Sequence, residues 1–292
     1  MLEHLNISSV APKRAVVMGA AGFVGGAVRA RLARDGVPVL ALGSREVDLM
    51  AHDAHERLAG YLAPDDAFVA VSARAPVKNA EMLVENMLMV RAMLRALALR
   101  PVAHVVNVSS DAIFFDSAEP LTETSTAAPC SLHGVMHLAR ELMFRAEVKS
   151  PLAMVRPTLI YGAGDPHNGY GPNKFRRLAA KSEGIVLFGE GEERRDHVCV
   201  DDVAELIARV LFRRSTGSLN IATGEVHSFR GIAEKVVSLS GKAVAIKGSP
   251  RSGPMPHDGY RAFDSAATRR AFPDFRYTSL DDGLARAQRE AK

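Results

Sequence analysis

The chain has 292 residues, 47% of them hydrophobic and 24% charged, with a formal net charge of +4. That is enough apolar material for one large α/β unit with a smaller appendage. No uninterrupted apolar run approaches the roughly 18 residues of a membrane span, and no charged-then-apolar leader opens the chain. The two cysteines, Cys130 and Cys199, have no metal-like spacing, and no basic stripe interleaved with aromatics argues for nucleic acid.

The first element is the most informative. A β-branched run, Ala15-Val16-Val17-Met18, ends in Gly19, Gly22 and Gly25, and a helical pattern begins at once with Phe23 and Val24 and runs to a stop at Gly36. Strand, glycine turn and helix N-terminus together form an anion site. The backbone can approach a pyrophosphate without a Cβ in the way, and free N–H groups and the helix dipole face it. The segment reads as a dinucleotide site.

Strands and helices then alternate. Val37–Leu42 is predicted as a strand, Ala54–Leu62 as a helix and Ala67–Val71 as a strand after the turn Pro64-Asp65-Asp66. Ala80–Leu99 is a long helix ended by Pro101, and its methionines at positions 82, 87, 89 and 93 read as core filler. The strand His104–Val108, the helix Leu132–Val148 and the strand Leu152–Arg156 follow. This alternation predicts a doubly wound parallel sheet. After Pro157 comes a dense loop from Gly162 to Pro172, then a helix Lys174–Lys181. A helix Asp202–Phe212 and a strand Ser218–Ala222 return to the sheet, and short helices with Pro-rich connections fill the tail from Glu225. The expected organisation is a Rossmann unit over 1–161, joined by 199–224, and a small discontinuous C-terminal substrate-binding domain over 162–198 and 225–292.

Which dinucleotide is bound depends on the tip of the second strand, where an acid about 20 residues past the glycines reads a ribose 2′-hydroxyl. Here that tip is Leu42-Gly43-Ser44-Arg45, and Glu46 falls one position late. Ser44 and Arg45 suit a 2′-phosphate, which favours NADP over NAD.

Several further segments carry a family resemblance. They are Val108-Ser109-Ser110-Asp111, Arg156-Pro157-Thr158-Leu159-Ile160-Tyr161-Gly162, Phe188 to Val198, Val200-Asp201-Asp202-Val203-Ala204 and Asn220-Ile221-Ala222-Thr223-Gly224-Glu225. With the glycine turn, in this order and spacing, the chain resembles an extended short-chain dehydrogenase/reductase, of the NAD(P)-dependent nucleotide-sugar epimerase/dehydratase/reductase family. The resemblance implies a cytoplasmic enzyme acting on a nucleotide-linked sugar by hydride transfer, as a homodimer paired through helices Ala80–Leu99 and Leu132–Val148. It implies that Ser110 hydrogen-bonds the reacting oxygen. Asp111, Tyr161, Asn173, Arg195 and, in Pro250-Arg251-Ser252-Gly253, Arg251 are the implied substrate contacts. Ser72 and Asp48 join the implied cofactor contacts, Asp48 facing the adenine. Ala112 stands where the sugar dehydratases carry the second of two acids, which points instead to 4-keto reduction or epimerisation.

One departure separates this chain from that pattern. The Tyr and Lys that members carry four residues apart are replaced by His133 and His137. In the resembling enzymes the Tyr exchanges a proton with the sugar, and the Lys holds the nicotinamide ribose and lowers the Tyr pKa. Three readings of the pair stand open: His133 serves as acid/base with His137 below it on the ribose, since an imidazole titrates near neutral pH; the fold keeps nucleotide binding, as a sensor or regulator, with redox chemistry lost or changed; or the two histidines hold a metal. No third ligand stands at diagnostic spacing, so no metal is assigned.

Overall fold

The computed structural model describes residues 2–291. A two-residue strand, β1 (Glu3–His4), precedes the glycine-turn unit of β2 (Arg14–Met18) and α1 (Phe23–Arg34). Ala15 to Met18 are all buried, as a strand covered by helices on both faces requires. α1 carries Arg31 and Arg34 in its last turn and exits through Gly36 in the left-handed region, at φ +72°.

The alternation continues through β3 (Val39–Leu42), α2 (Ala54–Tyr61), β4 (Asp66–Ala70), α3 (Ala80–Leu99), β5 (His104–Val108), α4 (Leu132–Glu147) and β6 (Leu152–Pro157). Side chains fix where the two long helices start: Asn79 accepts from the Met82 N–H at α3, and Ser131 from the Gly134 N–H at α4. The chain then leaves the main sheet for β7 (Leu159–Tyr161), α5 (Pro172–Ala180), β8 (Ile185–Phe188) and β9 (Arg194–Cys199). α6 (Val200–Phe212) and β10 (Ser215–Ile221) bring it back. The rest comprises β11 (Val226–Ser228), α7 (Phe229–Ser240), β12 (Ile246–Ser249), β13 (Tyr260–Arg261), α8 (Ala266–Ala271) and α9 (Leu280–Glu290).

Among the described residues, seven strands form one sheet in the order β1-β10-β6-β5-β4-β2-β3, parallel throughout except for β1. From β2 the chain moves out to β3, then crosses back to β4 and continues to β5, β6 and β10. This doubly wound order reverses between β2 and β4, and the crevice at their carboxyl ends is where open α/β sheets bind ligands. The strand pleat splits the core in two. Val17, Val28, Ile207 and Leu219 pack on the α1–α6 face; Val16, Leu58, Phe68, Met93 and Phe144 pack on the face of α2, α3 and α4.

A second core gathers Tyr161, Phe175, Ile185, Phe229, Ile232 and Leu284 between α5, α7, α9 and two small sheets. β9 lies at the centre of one sheet, parallel to β7 and β13 and antiparallel to β11; β8 and β12 form the other. No described helix is long and apolar enough to cross a membrane.

Three differences from the sequence reading have physical causes. α5 starts at Pro172 rather than Lys174, because proline's fixed φ and missing N–H suit a first helical turn. β10 begins at Ser215, three residues early, through Ser215, Thr216 and Gly217, which carry no apolar side chain to mark a strand. β1, β7, β8, β9 and, in the tail, β11, β12 and β13 are absent from the sequence reading: each is only two to six residues long, and β9 opens on the charged Arg194, Arg195 and Asp196 although Asp196 and His197 are buried.

Candidate active site

The crevice at the sheet's reversal opens into a cleft of about 1080 Å³. Its floor is the glycine turn. Gly19 sits at φ +101°, and a Cβ there would fall 2.8 Å from the Ser72 backbone nitrogen. A Cβ on Gly25 would fall 2.1 Å from the Gly19 carbonyl oxygen, so Gly25 packs α1 onto the turn rather than facing the cleft. Gly22, Phe23 and Val24 do line it. No side chain caps α1, whose first N–H groups are left for an anion. Backbone that excludes side chains, next to an uncapped helix start, fits the pyrophosphate of a dinucleotide.

Around this floor the expected cofactor contacts divide. Ser72 and Ser44 line the cleft. Arg45 is exposed beside Ser44 but is not part of the wall. Glu46 turns back to accept the Gly43 N–H at 2.8 Å, so its carboxylate closes the turn. Asp48 does not face the cleft as expected; it is exposed and accepts the Met50 N–H at 3.0 Å, a local turn that captures its carboxylate.

Opposite the floor stand Ser110 and the two histidines. Ser110 follows β5 and caps a short 3-10 turn, Asp111–Ile113; its Oγ accepts the Ala112 N–H at 3.2 Å and donates to Asp111 Oδ1 at 3.2 Å. α4 lies directly on that turn, because Gly134 has no side chain: a Cβ there would fall 2.1 Å from the Ala112 carbonyl oxygen. The contact brings His133 beside Asp111. His133 and His137 stand one helical turn apart with ring centroids 4.7 Å apart and planes at 87°, and both line the cleft. The Nδ1 atom of each is buried without a hydrogen-bond partner. Burial lowers the His133 pKa against the pull of Asp111. His137 lies well below the ordinary imidazole value, through burial first and then His133 and Arg140. Both rings are neutral near pH 7 and free to accept a proton or a hydrogen bond.

The substrate-side expectations fare unequally. Asn173 is buried at the start of α5, accepts the Gly162 N–H at 3.1 Å and lines the cleft. Arg195 on β9 lines it too, paired with Glu193 at 3.1 Å. Asp111 is present but engaged: its Oδ2 accepts Arg261 Nε at 3.2 Å and its carbonyl accepts Nη2 at 2.7 Å. Tyr161 is not in the cleft. On β7 the neighbouring Ile160 faces it, so by strand alternation Tyr161 points into the second core, against Gly283. Arg251 is also outside, donating to the Phe188 carbonyl at 3.2 Å and to Glu192.

The cleft also holds residues that the sequence reading missed. His197 shares the Arg195 face of β9; burial pushes its pKa down to about 3, and its Nε2 is buried without a partner. The period of two from Arg195 would have found it. At the rim Arg261 forms an ion pair with Asp116, and His257, its pKa lowered by burial, hydrogen-bonds the same carboxylate. No local pattern marks His257 and Arg261 in the Pro-rich tail, or Asp116 far upstream of them. Behind the histidines lies Arg140, at the i+3 position from His137 on the inward face of α4.

Comparison with known proteins gives three findings. A family model described as the NAD dependent epimerase/dehydratase family matches residues 15–222. A dTDP-L-rhamnose 4-epimerase from Burkholderia thailandensis is 30% identical over 169 residues, 55% of this chain and 46% of that protein, so the match spans about half the length of that curated relative. Among solved structures, a Thermus thermophilus UDP-glucose 4-epimerase in complex with NAD aligns with TM-score 0.81 at 24% identity, over 94% of this chain and 98% of that one. A GDP-L-fucose synthetase from Naegleria fowleri bound to NADP aligns with TM-score 0.83 at 18% identity, over 98% and 94%. Likeness at these identities establishes the fold.

Proposed function

The chain belongs to the NAD dependent epimerase/dehydratase family, and from that premise we propose that it is an NADP-dependent oxidoreductase or epimerase acting on a nucleotide-linked sugar. The reaction is 4-keto reduction or epimerisation. One observation carries this reading. Two neutral imidazoles with unpartnered nitrogens stand on the cleft, one turn apart, on the helix packed against the Ser110 turn.

The dinucleotide, when bound, supplies the hydride chemistry. The chain's own residues do the rest. Gly19, Gly22 and the first turn of α1 hold the pyrophosphate, and Ser44 with Arg45 takes the 2′-phosphate. The Ser110 hydroxyl turns from Asp111 Oδ1 and donates to the sugar oxygen at the reacting carbon. His133, held neutral by burial, takes the proton from that hydroxyl in the oxidising direction and returns it in the reducing one. His137 sits below it as a hydrogen-bonding partner for the ribose. Arg195 and Asn173 orient the nucleotide diphosphate, the guanidinium through paired, charge-assisted bonds.

The two cysteines are free, which agrees with a cytoplasmic setting. A homodimer through α3 and α4 is supported by the exposed apolar side chains of Val84, Leu99, Val135 and Leu142 on those helices.

The test is turnover. Purified protein given NADPH or NADP with a panel of UDP-, GDP- and dTDP-linked sugars and 4-keto sugars should oxidise, reduce or epimerise at least one. His133→Ala should then lower kcat by about 10² to 10⁴ while leaving NADPH affinity in place. A protein that binds NADPH tightly and turns over none of the panel is instead a dinucleotide binder that kept the fold and lost the reaction.

A further inference from the structure

We propose that Arg140 is a positioning residue for the His133–His137 pair: its buried guanidinium locks α4 to the glycine turn and supplies a fixed positive charge behind the pair. The inference rests on the reading of these histidines as the working pair of the site.

Arg140 is among the largest fully buried side chains in the molecule, 1% exposed. Its Nε donates to Asn107 Oδ1 on β5 at 2.5 Å, Nη1 to the Ser72 carbonyl at 2.7 Å and Nη2 to the Ala70 carbonyl at the end of β4 at 2.8 Å. All three acceptors are neutral, and no carboxylate pairs with Arg140 among the described residues. A buried cation without a counter-ion is expensive, and an apolar side chain stacked on Phe144 would fill the same space without that penalty. Burial lowers the guanidinium's pKa to about 10, which still leaves it charged at neutral pH.

The three acceptors show what the guanidinium holds. Ser72 has its N–H bonded to the Met18 carbonyl at the end of β2, and its backbone nitrogen occupies the space where a Gly19 Cβ would lie. One planar fork therefore ties the helix carrying the histidines to β4, β5 and the dinucleotide turn. The planar guanidinium suits this task because it meets several fixed acceptors at once. Its charge, which neutral oxygens leave uncancelled, lies within three residues of His137 and opposes protonation of that ring. The other groups facing the pair are few. His133 and His137 act on each other, and the 3-10 turn contributes Asp111, which attracts a proton to His133 while itself held by Arg261. From α3 it is the apolar Met89 that reaches the cleft wall. Where the family resemblance implies a lysine reaching into the cleft, this chain places its fixed charge behind the helix and leaves two uncharged rings in front.

The experiment reads the charge and the lock separately. Imidazole titrations by NMR are run on the whole protein without cofactor, and NADPH affinity is measured on the same samples. Arg140→Lys keeps the charge but not the fork; His137 should titrate as in the parent while NADPH binds about tenfold more weakly. Arg140→Met removes both, so the His137 titration should move up by about one pH unit or more and NADPH affinity should fall as well. Asn107→Asp keeps the shape and sets a carboxylate against the guanidinium, and should raise the His137 titration even if Arg140→Met fails to fold. An unchanged His137 titration in Asn107→Asp, or unchanged NADPH affinity in folded Arg140→Lys, overturns the proposal. Because the titration needs no substrate, a failure to find turnover bears on the proposed function alone.

Discussion

Arg45 stands at the tip of β3 with its side chain in solvent and no ion pair among the described residues, while the nearby acids Glu46 and Asp48 are spent on the Gly43 and Met50 N–H groups. A 2′-phosphate arriving at this corner meets a cation and a hydroxyl, and a bare 2′-hydroxyl finds no acceptor reserved for it. Arg45→Ala should therefore weaken NADPH binding about tenfold and leave NADH binding nearly unchanged, measured by calorimetric titration of both. Equal losses for the two would assign Arg45 to the surface. At this scale the sequence was readable wherever the candidate site is built from residues close in the chain. The glycine turn, the Ser110 turn and the His133–His137 spacing are of that kind, and all of them reach the cleft except Gly25, which packs behind it. Tyr161 went astray because a motif carries a residue's position and not the side of the strand it faces. Arg261 and Asp116 were invisible because 145 residues separate two side chains that meet only in three dimensions.

Among the elements, α4 has the most divided character. Its inner face presents His133, His137 and Arg140 to the cleft and the sheet ends, and Glu141 to a buried bidentate pair with Arg156 at 2.8 and 2.7 Å. Its outer face leaves Val135 and Leu142 exposed, the latter at 58%. Apolar surface on that face is explained if a second copy covers it, and the helix then transmits dimer packing directly to the site. Leu142→Glu should halve the mass measured by light scattering in solution without altering the circular dichroism of the fold. A wild-type protein that is already monomeric removes the pairing. Element types were legible for the same reason that α4 was: long, periodic segments announce themselves. β8 and β9 did not: β8 is a run of only four apolar residues and β9 opens on three charged ones, and neither offers enough pattern.

For the molecule as a whole, burying imidazoles sets a direction for stability against pH. Burial pushes His104 down to about 4 and His197 to about 3, and holds His137 low as well. Unfolded, each titrates near its ordinary value of 6.5. Below that pH the unfolded chain takes up protons that the folded chain refuses, so stability falls as pH drops from about 6.5 toward the folded values, and none of this loss operates above neutrality. Each group contributes up to about 1.4 kcal/mol per pH unit in that window. Asp196 and Asp202, raised by burial, pull the other way closer to the carboxylate range. The melting temperature should accordingly be lower at pH 5 than at pH 7.5, and His104→Asn should flatten part of that slope. An equal melting temperature at both values would mean that these rings are charged in the folded protein.

The antiparallel strand β1 has a consequence for the order in which the sheet is assembled. Its partners are Thr216 for Glu3 and Ser215 for His4, and His4 is further fixed by Ser215 Oγ at 2.7 Å and the Ala271 carbonyl at 3.0 Å. Each of those partners lies more than two hundred residues downstream. As the chain emerges from the ribosome, the parallel strands β2 to β6 can pair with one another while β1 has no partner. The segment made early is thus zipped onto the edge late, and until β10 and α8 exist His4 has neither the Ser215 hydroxyl nor the Ala271 carbonyl to bond.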